Sequence, residues 1–298
     1  MSSMKITAYA DKISVAPGET INFMVNCAAG EFRADIVKLI CGDMNPDGPG
    51  YQEKVCRTNA SGNYKGRKQV IHAGSFVEIP HSDRLNGVQD FTVQAFIWPT
   101  TPDKGRQAIV SKWDAAKHRG ATLSIADNND GIALTLANGK SKSETFSSGK
   151  PLLALEWYFV AASWNAAKKT VTLVQQPLHH YADTRDSATR TFKTKLGQVE
   201  PNNSPITIAA EFKRFDKGRT VCVDHFNGKI DSPRIASKAL SMAEMESLKS
   251  PGAKSEAFVA AAWDFSSDVK DTKVSDLSGN NLHGEVVNMP ARGMTGWN

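Results

Sequence analysis

Alternation of apolar and polar positions is the clearest pattern in the chain. In "DFTVQAFIWP", Phe91, Val93, Ala95 and Ile97 fall on one face of an extended strand, and Thr92, Gln94, Phe96 and Trp98 on the other. "ATLSIADNNDGIALTLANG" carries Leu123 and Ile125, a turn at "DNNDG", then Ile132, Leu134 and Leu136, the pattern of a hairpin. "EWYFVAASWNAAKKTVTLVQQ" predicts a second hairpin, with Trp157, Phe159 and Ala161 on one face and Val171 and Leu173 on the return strand. "SFVEIP", closed by Pro80, and "RQAIVSKWD" add further strands. Amphipathic helices do not alternate with these strands, which disfavours a parallel α/β fold and points to an antiparallel sandwich.

The first 65 or so residues carry their own strand signals. "KITAYADKISVAPGETINFMVNC" turns at Pro17-Gly18, after which Ile21, Phe23 and Val25 share a face. "FRADIVKLICGD" sets Ala34, Ile36, Lys38 and Ile40 against Asp35, Val37, Leu39 and Cys41; both faces are largely apolar, which predicts a central strand. "MNPDGPG" at 44–50 is a loop, because Pro and Gly hold no ladder there. The segment reads as a small immunoglobulin-like β-sandwich.

One helix start is evident. Ser241 is placed as its N-cap with Glu244 as partner, and Leu240 and Met245 flank it as a staple. Just before it, "HFNGKIDSPRI" (225–235) places Phe226, Ile230 and Ile235 in a core and Gly228 at a close turn or bulge. Asp231 and Arg234 are expected as strand-end polar groups, and the helix as a cover for one end. The expected organisation is all-β: residues 1–65 as the small sandwich, 66–73 as a linker, 74–250 as a jelly roll, and 251–298 as an extension leading to further sequence.

Composition adds little. Across 298 residues, 40% are hydrophobic and 22% charged, ordinary globular usage. The net charge of +5 comes from scattered residues; the densest group, "KGRK" at 65–68, sits among Gly and Asn without interleaved aromatics, so nucleic acid is not an expected partner. No apolar run is long enough for a membrane span or an export signal, and the expected location is cytoplasmic. Cys27, Cys41, Cys56 and Cys222 match no metal motif and are expected as reduced thiols, with a Cys27–Cys41 bridge as the alternative in a secreted protein.

Candidate chemistry is sparse. His179 and His180, adjacent on an extended chain, point apart and do not share a metal. "ADNNDG" offers oxygen ligands suited to calcium, but reads first as a hairpin turn. Trp113, Asp114 and His118 are the candidates for a sugar site, with packing as the competing role of the tryptophan. Cys222 and His225, three apart, are expected on opposite faces. Near the end, Val286, Val287, Met289, Met294 and Trp297 form an apolar series; it marks an interface, unless the two valines complete the sandwich.

"SFVEIPHSDRLNGVQDFTVQAFIWPTTPDKGRQAIVSKWD", the 157–176 hairpin and "FNGKIDSPRIASKALSMAEMESL" together resemble laminin-G-like, concanavalin A-like jelly rolls over about residues 74–250. The order of a small β domain with "RADIVKLICGDMNPDGPG", that jelly roll, and "WDFSSD…VSDLSGNNLHGEVVNMPARGMTGWN" is similar to the N-terminal part of the N,N-dimethylformamidase large subunit. The resemblance implies a formamide-hydrolysing parent. Its mononuclear iron, held by tyrosine and glutamate, lies in a downstream catalytic domain, so no catalytic, cofactor or metal residue is expected in this chain. The implied partners are that catalytic domain and a small subunit, in an oligomer. A free-standing lectin-like module is the alternative.

Overall fold

The structure, a computed structural model, describes residues 6–45, 47–68, 72–86, 89–139, 142–179, 185–250, 258–267 and 269–293. Two compact units divide the chain, Met1–His72 and Ala73–Asn298.

The first unit contains β1 (Ile6–Ala10), β2 (Phe23–Cys27), β3 (Glu31–Ala34), β4 (Ile36–Cys41), β5 (Gln52–Cys56) and β6 (Gly62–Lys65). They pair antiparallel as β1–β2, β3–β6 and β4–β5. The segment predicted as one central strand is therefore two strands with different partners, parted at Asp35. Asp35 bonds back to the Arg33 guanidinium at 2.8 and 3.0 Å. A two-stranded ladder cannot cover both faces, so Leu39 and Ile40 stay 56% and 59% exposed. Among the described residues of this unit, Cys27 alone is buried. All four cysteines are free.

The second unit is built from β7 (Phe76–Ile79), β8 (Phe91–Pro99), β9 (Gln107–Asp114), β10 (Arg119–Ile125), β11 (Ile132–Asn138), β12 (Ser143–Ser147), β13 (Tyr158–Asn165) and β14 (Thr170–Pro177). It continues with β15 (Ala188–Lys193), β16 (Ile206–Ile208), β17 (Glu211–Asp216), β18 (Arg219–Val223), β19 (Gly228–Ala236), α1 (Met242–Ser247), β20 (Val259–Ala262), β21 (Lys273–Val274) and β22 (Gly284–Val287). An eight-stranded sheet, ordered β12-β11-β10-β9-β16-β7-β22-β21, faces a six-stranded sheet, ordered β15-β14-β13-β8-β19-β20, and β17–β18 form a separate hairpin.

Alternation explains the layers. Val93, Ala95 and Ile97 of β8 join Leu123, Leu134, Val171 and Leu173 in the core between the sheets. Phe96, Phe159 and Ala161 point the other way, into a second core with Leu240, Met245 and Leu248. Burying a large apolar side chain contributes about 1.5–3 kcal/mol, so both layers matter to stability. The helix thus covers the outer face of the smaller sheet rather than one end of the sandwich. Its capping box is formed: the Ser241 side chain accepts from Glu244 N, and Glu244 accepts from Ser241 N at 2.8 Å. Gly228 has φ 151°, and a Cβ there would lie 2.2 Å from the Trp98 carbonyl oxygen. Arg234 departs from expectation: a register shift between Asp231 and Arg234 leaves it inside β19, 5% exposed, bonded to the Ser250 carbonyl at 3.3 Å.

The boundary placed at residue 250 is not one. β20 pairs with β19, and β22 pairs with β7, so residues 258–287 supply an edge to each sheet. Ala261, Trp263, Val274 and Leu282 lie in the core between the sheets. Asp276 organises the segment. Its carboxylate accepts from the backbone of Ala262 (3.0 Å), Ser278 (2.9 Å) and Leu282 (3.0 Å) and from the Ser278 hydroxyl (2.8 Å). The unit's beginning and end lie side by side: Ser75 Oγ donates to Asn288 O at 2.8 Å, and Asn288 Nδ2 to Gly74 O at 2.7 Å.

Candidate functional site

A polar cleft of about 390 Å³ opens where the β9–β10 turn meets β17. One wall carries Asp114, Lys117 and Arg119; the segment Pro201–Ser204 forms a second; Phe212, Lys213, Arg214 and Phe215 form the third. Asp114 Oδ1 accepts from the backbone of Ala116 (3.1 Å) and Lys117 (3.0 Å), which fixes the turn. Asn202 Nδ2 donates to the carbonyls of Lys112 and Arg119, both at 3.3 Å, tying the second wall to the turn. On β17 a register shift between Phe212 and Arg214 is followed by a Phe212–Phe215 ring pair at 4.9 Å. The Phe215 ring is 59% exposed. Four cationic side chains against one carboxylate make the lining positive.

Buried charge holds the hairpin in place. Arg106 pairs with Asp224 and, at 2.6 Å, with Glu211. Glu211 also accepts from Thr122 Oγ1 at 2.8 Å, and Thr122 lies 2.8 Å from Ser111 Oγ. Burial alone would depress the Arg106 guanidinium, but Glu211 and Asp224 outweigh it and raise its pKa. This network lies under the hairpin base, so the aromatic and basic residues further along β17 project from a fixed platform.

The three sugar-site candidates are not brought together. Asp114 lines the cleft. Trp113 precedes it on β9, so it faces the opposite side of the sheet and is only 8% exposed. It offers no ring face for stacking, and packing is its role. His118 is exposed at φ 50° in the turn, where its carbonyl accepts from Gly139 N at 2.7 Å. Phe212 and Phe215, the aromatics that line the cleft, were not among the candidates. "EFKRFDKGRTVCV" carries a hairpin signal at "DKG", but the register shift after Phe212 follows from pairing.

Of the C-terminal apolar series, Val286 and Val287 belong to β22 and pair with Val77 and Phe76. Val287 and Met289 are half-buried. Met294 and Trp297 lie outside the described residues, as does His180. In "ADNNDG", Asn128 and Asn129 have φ 55° and 52°. The Asn129 side chain bonds to both backbone groups of Leu152 at 2.8 Å, so it serves as a loop tie. Burial pushes the Cys222 thiol up to about 12 and the His225 imidazole below its usual range. Both are therefore neutral near pH 7, which is unsuited to a thiolate–imidazolium nucleophile. Among the described residues, no group of three or more His, Cys, Asp or Glu is arranged to hold a metal ion.

A two-layer antiparallel sandwich with a loop-built cleft defines the class. The family described as the concanavalin A-like lectin/glucanases superfamily matches residues 72–246, and the chain belongs to it. A protein of Bacteroides ovatus ATCC 8483, proposed to bind carbohydrate, shares the fold with a TM-score of 0.50 at 13% identity, over 98% of this chain and 71% of that one. More particularly, the chain is homologous over its full length to N,N-dimethylformamidase beta subunits. It is 37% identical over 318 residues to that of Paracoccus aminophilus and 34% identical over 326 residues to that of Alcaligenes sp. The chain spans 41% of the length of each.

Proposed function

We propose that this chain is the non-catalytic, β-rich part of an N,N-dimethylformamidase-like amide hydrolase, serving assembly and framing access to an active site carried by sequence outside it. The observation that carries this reading is coverage. Homology to the beta subunits takes in 100% of the chain, the first unit and the closing strands included, yet only 41% of their length. In this reading the mononuclear iron, the catalytic domain and a small subunit are supplied from elsewhere in a cytoplasmic oligomer. The first unit serves as an immunoglobulin-like sandwich, supported by its three antiparallel ladders, and the segment from Val287 onward, with Met289, Met294 and Trp297, contacts the following region.

The purified chain is assayed on dimethylformamide and analysed for iron. Neither turnover nor stoichiometric iron is expected. Turnover that survives repurification, or iron bound in proportion to protein, would overturn the proposal. For the contact, sedimentation of the full chain and of a form lacking residues 289–298 is decisive: self-association should be lost in the shorter form, and a monomeric full chain across micromolar concentrations would rule the contact out.

A second reading, a lectin-like carbohydrate-binding module, is favoured by the exposed Phe215 ring beside a polar cleft, since sugar rings stack on such faces. Glycan binding that is saturable and abolished by Phe215→Ala would support it.

A further inference from the structure

Between the two sheets, near the 3-10 turn Asp83–Leu85, the core is incompletely filled and leaves a cavity of about 90 Å³. Phe91 and Val93 of β8 and Ile235 of β19 line it from the smaller sheet, and Leu123, Leu134 and Ile206 from the larger. Val93, Leu123, Leu134 and Ile206 are all 6% exposed or less, so the floor of the pocket lies in the core while its mouth opens to solvent. Its origin lies in β10. Ala121 also lines the void, two residues before Leu123, and a methyl group there does not reach across the gap. Apolar pockets accept small apolar guests.

The mouth carries polar side chains with partners of their own. Asn86 Oδ1 accepts from Asn202 N at 2.9 Å, and Glu200 accepts from Gln198 Nε2 at 2.8 Å. Lys112 Nζ donates to Ser204 O at 2.9 Å and lies 3.2 Å from His81 Nδ1. The deep lining is mostly hydrocarbon, and the charged groups of Lys112 and Glu200 stay at the mouth with partners of their own. A carboxylate or ammonium entering the deep part would lose its hydration shell. An uncharged molecule loses little, and a single carbonyl can remain at the mouth.

We propose that this cavity is a binding site for compact, uncharged organic molecules of about five heavy atoms, and that it refuses ions. Small neutral amides fall within that class; the ionised acid and amine released by their hydrolysis do not. The cavity itself is independent of the amidase reading, and only the inclusion of amides rests on it.

The test is a titration of the full chain, methyl-labelled at Ile, Leu and Val, with cyclopentane, dimethylformamide and sodium formate. Both neutral probes should give saturable shifts at the methyls of Val93, Leu123, Leu134, Ile206 and Ile235, and formate none. Ala121→Leu, which fills the void, should abolish the shifts. If that variant fails to fold, Val199→Phe, placed in the loop at the mouth, provides the same control. Shifts with cyclopentane alone would sustain the cavity site and overturn the inclusion of amides. No saturable shift with either neutral probe, shifts that persist in the filled variant, or equal shifts with formate would overturn the site.

Discussion

Replacing Asp276 with alanine tests whether residues 258–287 are built into the sandwich. Asp276 is 7% exposed, and its two oxygens accept three backbone N–H groups and one hydroxyl. Two of those N–H groups belong to the buried residues Ala262 and Leu282. In Asp276→Ala both lose their acceptor, and each such loss costs about 1–3 kcal/mol. With the partly exposed Ser278 groups added, the total should be about 3–4 kcal/mol. For a unit spanning residues 73–298, each kcal/mol lowers Tm by about 2–4 °C, so the main transition should fall by about 10 °C. Asp276→Asn keeps one acceptor oxygen and should lose less. Ser278→Ala removes only hydroxyl bonds and should cost about 1 kcal/mol. Differential scanning calorimetry reads all three. If the main transition of Asp276→Ala stayed at the wild-type temperature while the C-terminal segment became protease-sensitive, the segment would be an appendage and the reasoning wrong.

Burial pulls the Lys112 amine down to about 8 from 10.5. Below pH 8 the amine is protonated in folded and unfolded chains alike. Between pH 8 and 10.5 the unfolded chain holds the extra proton, so stability should rise with pH. Urea midpoints at the two ends of that window should show this rise weakened in Lys112→Gln; an equal rise in the variant would refute the assignment. Glu211→Gln leaves Arg106 with Asp224 as its one anionic partner and should cost about 2 kcal/mol, a value below that of a fully buried pair because Arg106 keeps some exposure. Faster amide exchange confined to β17 and β18 is the expected signature, and unchanged exchange would refute the anchoring role. Gly228→Ala forces a methyl group against the Trp98 carbonyl at a φ few side chains adopt. It should destabilise by about 2 kcal/mol or more, and a wild-type melting temperature would contradict that geometry.

By itself the sequence was enough for the strands, the two central hairpins and the helix cap, because those features rest on neighbours a few residues apart. A period of two in Phe91–Trp98, the turn residues of "DNNDG" and the Ser241–Glu244 spacing each report a local free-energy preference. Tertiary structure decided what those preferences face. The apolar faces of "DIVKLIC" are consistent with a central strand, yet β4 finds a single partner and leaves them largely exposed. The extension after residue 250 has ordinary strand-and-turn composition, and nothing local marks Trp263, Val274 and Leu282 as core. Their burial follows from β20 pairing with β19 and from β22 pairing with β7, the latter across some 200 residues of intervening chain. The cleft follows the same rule. Trp113 and Asp114 are neighbours in sequence but point apart, whereas Asp114 and Phe215, a hundred residues distant, line one cleft. Local sequence specifies the pleat of a strand; which partner lies across it is set by the packing of the whole unit.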